Sequence, residues 1–344
     1  QGWDWAHFPG TTAIALPIDK LKSPISQVDI YSGVEEMLLS DETFSGGNSL
    51  NDNGMFAMKL HEHSKYNDTH RARKSVFLFD NRVILLGSNI ENKSDYETHT
   101  TLFQNYLSDK NSISKVEKIK NSNFILDTQN NLYKVVEGNL KYKNGLQHSL
   151  DQNKGIPTEN YYEMAYINHG KNPKNQKYQY AILVKGNKEE QEIFKKNSNY
   201  QVLQQDYNAH IVEDEISKMR GYALFESGDI KDKYLKSIDT PSLIFIDPND
   251  NSLELSFVDP DLRLYEGKDE SQYEKNGKLK EVSIYSRKWN SNPSIPHTST
   301  IILNGKYSLE KENKNVSAEI VDNTTIIKIT TTYATPVKLT LRKL

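Results

Sequence analysis

Short apolar segments separated by turn-forming residues dominate the pattern of this chain. Residues 75–79 and 82–86 are rich in apolar side chains and flank Asp80 and Asn81, which tolerate the left-handed backbone of a tight turn. Segments of this kind predict antiparallel strands, and their number predicts sheets packed face to face. The same arrangement recurs at residues 123–127 with 132–136 and at 242–246 with 253–258. The last stretch, residues 298–344, is a series of alternating segments such as 324–331 and 336–341.

Helical periodicity is scarce. Residues 188–196, KEEQEIFKK, carry acidic side chains early and basic ones late, which suits the helix dipole and predicts the clearest helix of the chain. Single helical turns are predicted near residues 18–21 or 35–39, and the polar stretch 266–280 is predicted to be an exposed loop. Residues 44–49, FSGGNS, are predicted to form a glycine-containing loop that leads into a strand and is not a phosphate cradle.

The predicted helix interrupts the strand pattern near residues 195–205 and suggests a domain boundary. We therefore expect an all-β chain with a large antiparallel β-sandwich domain over residues 1–197. A smaller C-terminal antiparallel β domain is expected over residues 198–344.

Composition narrows the functional classes. The 344 residues include 43 basic and 46 acidic side chains, and this balance predicts no nucleic-acid partner and no attraction to a membrane surface. No apolar run is long enough to cross a membrane. The chain has no cysteine, which excludes disulfides and thiolate chemistry. Twenty tyrosines provide amphipathic rings, which suit half-buried strand positions and also carbohydrate surfaces.

Metal and nucleophile motifs are weak. His61 and His63 flank Glu62 and would share one face of a strand, a feasible metal edge, but solvent-facing strand histidines explain the pattern equally simply. The sequence contains no H-E-x-x-H, no G-x-S-x-G and no phosphate-binding glycine motif. We predict no metal ligands and no catalytic residues from these patterns.

Two stretches could contact a ligand. Arg71 and Arg73 lie in the basic run HRARK, whose guanidinium forks could bind sulfate or carboxylate groups or could simply protect a sheet edge. The chain opens on GWDWAHFPGTT, in which Trp3 and Trp5 could stack on sugar rings or fill a sandwich core, with His7 beside them. The candidate substrate-binding residues are therefore Trp3, Trp5, His7, Arg71 and Arg73.

The opening segment resembles polysaccharide lyase family 8, and within it most of all the chondroitin sulfate ABC lyases. Gly2 to Trp5 and Phe8 to Thr12 carry the resemblance. Further residues that match the family occur in the same order over roughly the first 260 residues. Further matches are Phe44-Ser45-Gly46, Asn53-Gly54-Met55, Arg73-Lys74-Ser75-Val76-Phe77, Leu86-Gly87-Ser88-Asn89-Ile90, Thr100-Thr101-Leu102-Phe103-Gln104, Asn168-His169-Gly170, Tyr178-Gln179-Tyr180 and Tyr200-Gln201-Val202-Leu203.

The resemblance implies a helical toroid, a large β super-sandwich and a smaller C-terminal β domain. It implies β-elimination at a uronic acid, with histidine, tyrosine and arginine on the toroid and a glutamate upstream of the Trp-Asp-Trp segment. The sandwich's first strands and all four catalytic groups would then precede this chain, which alone would be inactive and would serve as cleft wall and scaffold. The alternative is a stand-alone, non-catalytic carbohydrate-binding or structural β-sandwich protein.

The implied partners are an acidic polysaccharide (chondroitin, dermatan or hyaluronan) and the upstream toroid of the same protein. The implied location is secreted or periplasmic, with the signal outside this chain. Some family members gain activity from divalent ions, so a divalent cation stays open as a cofactor and no certain one is implied.

Overall fold

The computed structural model describes residues 2–21, 42–62, 68–108, 123–151, 155–264, 275–276 and 293–344. The predicted turn at 35–39, His63 and nearly all of the predicted loop 266–280 lie outside these residues. The first part of the described chain forms β1 (Thr12–Ile14), α1 (Ile18–Leu21), β2 (Ser45–Leu50), β3 (Asn53–His61), β4 (Arg71–Phe79), β5 (Arg82–Glu91), β6 (Glu97–Tyr106), β7 (Phe124–Leu126), β8 (Leu132–Glu137), β9 (Leu140–Leu150), β10 (Pro157–Lys171), β11 (Gln176–Leu183) and α2 (Lys188–Lys196).

The second part is built of strands. It forms β12 (Tyr200–Gln205), β13 (Ala209–Asp214), β14 (Arg220–Leu224), β15 (Gly228–Asp229), β16 (Leu235–Ile238), β17 (Ser242–Pro248), β18 (Ser252–Val258), β19 (His297–Asn304), β20 (Tyr307–Leu309), β21 (Val316–Val321), β22 (Thr324–Thr331) and β23 (Val337–Lys343). The all-β prediction is confirmed, as are the helix at 188–196 and the turn at 18–21.

Four antiparallel sheets hold these strands. Sheet A has the order β1-β6-β10-β9, and sheet B has the order β2-β3-β4-β5-β11-β8-β7. Sheet C has the order β12-β13-β14-β17-β18-β23-β20, and sheet D has the order β15-β16-β19-β22-β21. Sheets A and B therefore come from the chain before α2, and sheets C and D come from the chain after it.

Three apolar clusters join the sheets in the order A, B, C, D. Phe103 of sheet A packs with Tyr180 of sheet B, and Phe77 of sheet B packs in one cluster with Phe245 of sheet C. A third cluster, which includes Leu255 and Ile301, fills the space between sheets C and D. Each inner sheet thus buries both of its faces, and such burial is the main source of stability.

The predicted hairpins form as expected. In the first hairpin Phe79 pairs with Arg82, and Asp80 adopts a left-handed φ of 55°, which completes the tight turn. The strands β7 and β8 pair antiparallel, and so do β17 and β18. Helix α2 begins with a capping box in which the side chain of Asn187 accepts from the Glu190 amide and Glu190 bonds back to the Asn187 amide.

The predicted loop at residues 44–49 is wrong, because residues 45–50 form strand β2 at the edge of sheet B. The glycines let sheet C approach this strand closely: a Cβ built on Gly46 would lie 2.9 Å from the Cβ of Pro260. The Asn48 side chain then reaches across and donates to the Leu243 and Ser256 carbonyl oxygens, at 2.9 and 3.0 Å. The glycines mark close packing of two sheets and not a turn.

Polar groups also cross the interface between sheets B and C. His210 lies between the hydroxyl oxygens of Ser75 and Ser88, at 2.8 and 2.9 Å, and is fully buried. Burial lowers the pKa of His210 to about 3, so its ring stays neutral. The Arg82 guanidinium lies 2.7 Å from the Asp214 carboxylate, and both side chains are buried.

Candidate functional site

The tryptophan loop, residues 2–11, lies on sheet A and is held there by many polar contacts. The buried side chain of Gln104 on β6 accepts from the Asp4 amide at 2.8 Å and donates to the Asp4 and His7 carbonyl oxygens. The Gly2 amide donates to the Thr158 hydroxyl at 3.1 Å, and the Gly10 amide donates to the Thr101 carbonyl at 2.8 Å. The loop is therefore fixed along its whole length.

An aromatic row runs from this loop onto β10 and β6. Its members are Trp5, Phe8, Trp3, Tyr162 and Tyr106, and successive ring centres lie 6.0, 5.7, 6.1 and 5.9 Å apart. Phe8 is 46% exposed and Tyr106 is 55% exposed, while the two tryptophans are half-buried. The Trp5 indole N–H donates to the Leu150 carbonyl at 3.1 Å, which fixes its ring. Such a row presents apolar ring surface to solvent in a rigid arrangement.

A cavity of about 360 Å³ opens beside Trp5. Asp4, His7 and His148 provide polar groups in its wall, and the residues from Ala15 to Ile18 provide apolar ones. With this volume and with both polar and apolar residues in its wall, the cavity could hold one small polar ring.

A chain of four ionisable side chains links the loop to β6. Asp4 Oδ2 lies 2.9 Å from His7 Nδ1, His7 Nε2 lies 2.9 Å from His99 Nδ1, and His99 Nε2 lies 3.2 Å from Glu97 Oε2. Both imidazoles are buried, and the His99 ring stacks on Tyr166 at 4.3 Å. Burial lowers the pKa of His99, although its hydrogen bond to Glu97 acts in the opposite direction. Burial raises the pKa of Asp4, but His7, the Ala6 amide and the Lys143 ammonium together lower it by more, so the net shift is downward.

A second group of basic side chains lies under the loop on its sheet B side. Lys74 donates to the Gly10 carbonyl at 2.6 Å, and burial lowers its pKa to about 7. His70 Nε2 lies 3.2 Å from the Thr12 carbonyl. His169 bonds to the Thr100 hydroxyl at 2.8 Å, and burial lowers its pKa to about 4.

The structure does not bring Arg71 and Arg73 to the tryptophan loop. Side chains alternate along β4, so Lys74 faces the loop while Arg73 faces sheet C, where it pairs with Glu226 at 3.0 Å and lies over the Tyr207 ring at 4.4 Å. Arg71 is exposed at the start of β4 and pairs with Asp68 at 3.1 Å. Lys74 was not among the predicted ligand-contacting residues, although strand alternation extended back from the hairpin at 75–86 places it on the opposite face from Arg73.

The histidine edge gathers no metal ligands in the described part of the chain. His61 Nε2 contacts Asp68 Oδ1 at 2.5 Å, and His63 lies outside the described residues. No group of three or more His, Cys, Asp or Glu side chains among the described residues could hold a metal ion. Within the same residues, no helix is both long enough and apolar enough to span a membrane.

Comparison with known proteins identifies the family of this chain and two similar proteins. Residues 2–194 match the family described as polysaccharide lyase family 8, super-sandwich domain. The chain is 42% identical to a chondroitin sulfate ABC exolyase of Proteus vulgaris, with 99% of this chain and 35% of that protein covered. It is 40% identical to a chondroitin sulfate ABC exolyase of Bacteroides thetaiotaomicron, with 90% of this chain and 31% of that protein covered.

Solved structures agree at the level of the fold. The chondroitin AC lyase of Streptomyces coelicolor A3, solved in complex with chondroitin sulphate, superposes with a TM-score of 0.69 at 12% identity, covering 99% of this chain and 40% of that chain. The chain thus spans about a third of the length of the curated relatives that it matches.

Proposed function

Because the chain belongs to polysaccharide lyase family 8, we propose that it is part of a lyase that cleaves an acidic glycosaminoglycan by β-elimination at a uronic acid. Chondroitin, dermatan and hyaluronan are the proposed substrate class. In this proposal the tryptophan loop and the aromatic row form a wall of the carbohydrate cleft. The observation that carries the proposal is the exposed aromatic row beside a polar cavity, because sugar rings stack on such surfaces through their C–H faces.

Elimination needs a neutralised uronate, a base for the C5 proton and an acid for the leaving oxygen. We propose that these groups come from outside the 344 residues, on a helical toroid that packs against this region. Four described histidines support this division, because each is already bonded within the fold. His7, His99 and His210 are buried, and His169 is half-buried.

Within the wall, Trp3 and Trp5 are the proposed sugar-contacting residues, and His7 lies behind them. His7 is only 5% exposed, so its proposed role is to shape the wall and its charge. Arg71 and Arg73 are left out of this proposed wall, since Arg73 is paired with Glu226 and Arg71 with Asp68.

The parent protein is proposed to be secreted or periplasmic, where an extracellular polysaccharide can be reached. We also propose that residues 1–197 and 198–344 act as two domains. The change from sheets A and B to sheets C and D at α2 supports this division. A stand-alone carbohydrate-binding protein is the alternative, and it would bind the same ligand without any lyase partner.

The experiment is a titration of chondroitin sulfate oligosaccharide into the wild-type chain and a Trp5→Ala variant, followed by calorimetry. We expect a loss of about tenfold in affinity, equivalent to about 1.4 kcal/mol, because one stacking surface is removed. Tyr333→Ala is the matched control: Tyr333 is 53% exposed and lies between β22 and β23, far along the chain from the loop.

Unchanged affinity in Trp5→Ala, or an equal loss in Tyr333→Ala, would contradict the proposed wall. The chain alone is expected to give no rise in ultraviolet absorbance from unsaturated product. A longer protein that adds the upstream helical region is expected to give one. Inactivity of that longer protein on all three glycosaminoglycans would overturn the lyase assignment and favour the binding-protein alternative.

A further inference from the structure

The side-chain amide of Gln104 on β6 makes four hydrogen bonds, which is the full capacity of one amide group. Its Oε1 accepts from the Asp4 amide at 2.8 Å and from the Gln147 Nε2 at 2.6 Å. Its Nε2 donates to the Asp4 and His7 carbonyl oxygens, at 3.1 and 2.9 Å. The side chain is only 4% exposed, so these four groups take the place of water around it.

The partners fix which way the Gln104 amide points. A backbone N–H can only donate and a backbone carbonyl can only accept, so Gln104 cannot exchange its oxygen and nitrogen. Gln147 on β9 is oriented in turn, because its Nε2 donates both to Gln104 Oε1 and to the Gly2 carbonyl, each at 2.6 Å. The two side chains together hold the backbone of the tryptophan loop at Gly2, Asp4 and His7.

The two tryptophans lie between these held points. Trp3 lies between Gly2 and Asp4, and Trp5 lies between Asp4 and His7. Both indole rings belong to the aromatic row. A displacement of the backbone at Asp4 therefore moves both rings of the proposed carbohydrate wall.

We propose that Gln104 is a positioning residue for this wall and that Gln147 supports it, an inference that rests on the proposed function. A loop that becomes ordered only when a sugar binds loses conformational entropy in that step, which weakens binding. The four bonds of Gln104 order the loop during folding instead. Ligand affinity therefore depends on a buried side chain that contacts the loop and not the sugar.

Gln205 on β12 provides a matched comparison elsewhere in the fold. Its half-buried side chain donates to the Gly87 and Tyr178 carbonyl oxygens, both at 2.9 Å, and so ties sheet C to sheet B. Its loss should lower the stability of the fold, since two carbonyl groups lose a partner. It should leave the tryptophan loop in place, because these contacts lie between sheets B and C.

The test uses three single variants of the 344-residue chain. Gln104→Met keeps an unbranched side chain of similar length and removes all four bonds. Gln147→Met removes the bonds to the Gly2 carbonyl and to Gln104, and it provides the test if Gln104→Met does not fold. Gln205→Met removes the two bonds between sheets B and C and is the control.

The first measurement is hydrogen exchange of single protons, followed by NMR without a ligand. The Trp5 indole N–H bonds to the Leu150 carbonyl, and the Gly10 amide bonds to the Thr101 carbonyl, so neither contact involves a glutamine. In Gln104→Met we expect the Trp5 indole proton to exchange about tenfold faster, because the loop opens locally. The Gly10 proton should change by less than about twofold, and the control variant should change neither proton.

Equal exchange of the Trp5 indole proton in the wild type and in Gln104→Met would overturn the proposal. An equal rise in Gln205→Met, or an equal rise at Gly10, would also overturn it, because either would mean a general loss of stability.

Calorimetry with a chondroitin sulfate tetrasaccharide completes the test. Affinity is expected to fall about tenfold in Gln104→Met, by a smaller factor in Gln147→Met and by less than about twofold in Gln205→Met. Faster exchange of the Trp5 indole proton with unchanged affinity would overturn the role in binding. Absence of binding by the wild type would contradict the proposed function, and the exchange measurement would then still decide whether Gln104 positions the loop.

Discussion

Two buried histidine sites in this fold use the same side chain in opposite ways. His210 lies between sheets B and C with a serine hydroxyl on each ring nitrogen. His7 and His99 lie between two carboxylates at the outer side of sheet A. A hydroxyl can donate or accept, so it satisfies a neutral ring, whereas an ionised carboxylate requires an N–H.

The comparison shows that partners, and not burial alone, decide what a buried histidine does. His210 ties two sheets together as a neutral ring within an apolar interface that includes Phe79 and Phe245. The His7–His99 pair lies under an exposed aromatic loop beside a cavity. We propose scaffolding for the first region and ligand binding for the second, and the predictions below test the two regions separately.

The largest expected effect comes from the interface between sheets B and C. Phe245→Ala removes a fully buried ring that packs edge-on against Phe79 at 6.2 Å. We expect a loss of about 3–5 kcal/mol in unfolding free energy, because a large cavity remains. Urea unfolding followed by circular dichroism measures this loss. Affinity for chondroitin sulfate, determined where the variant is still folded, should stay within twofold of wild type.

A loss below about 1 kcal/mol in Phe245→Ala would mean that this interface collapses around the substitution and is not a rigid scaffold. A large loss of affinity in the folded variant would mean that the two regions are coupled. Either result would contradict the view that the interface between sheets B and C is structural and separate from the binding site at the tryptophan loop.

A smaller, pH-dependent effect is expected at His210. In the folded chain its pKa is about 3, while an unfolded histidine titrates near 6.5, so stability from the neutral ring is full above pH 6.5 and is lost as pH falls below it. His210→Leu should cost about 1–3 kcal/mol at pH 7, because Ser75 and Ser88 each lose a partner.

The pH dependence distinguishes this effect from simple loss of packing. Between pH 6.5 and 5 the wild type should lose up to about 1.4 kcal/mol per pH unit from this group, and His210→Leu should lack that slope. His148→Leu is the control, because the His148 side chain is 71% exposed. Urea unfolding at pH 7, 6 and 5 measures the slopes, and parallel slopes in wild type and His210→Leu would contradict the assignment.

Local patterns in the sequence were enough to predict three hairpins and the longer helix. Apolar segments and turn residues predict the hairpins, and the order of acidic and basic side chains predicts α2. The strand at 45–50 was missed because its glycines reflect the approach of Pro260, a contact made across more than 200 residues that no local pattern contains.

The candidate site was predicted only in part for the same reason. The tryptophan loop was visible from residue types, but His99 meets His7 across 92 positions, and Tyr162 meets Trp3 across an even longer separation. In the basic run at 70–74, alternation along β4 turns Lys74, and not Arg73, toward the loop.

Contact of the tryptophan loop and the aromatic row with the carbohydrate can be observed by NMR. The amide chemical shifts of the 344-residue chain are recorded while a chondroitin sulfate tetrasaccharide is added. We expect the largest changes at residues 2–11 and around Tyr106 and Tyr162, with little change at Arg71 and Arg73. Changes centred on Arg71 and Arg73, or no change in the loop at saturating ligand, would contradict it.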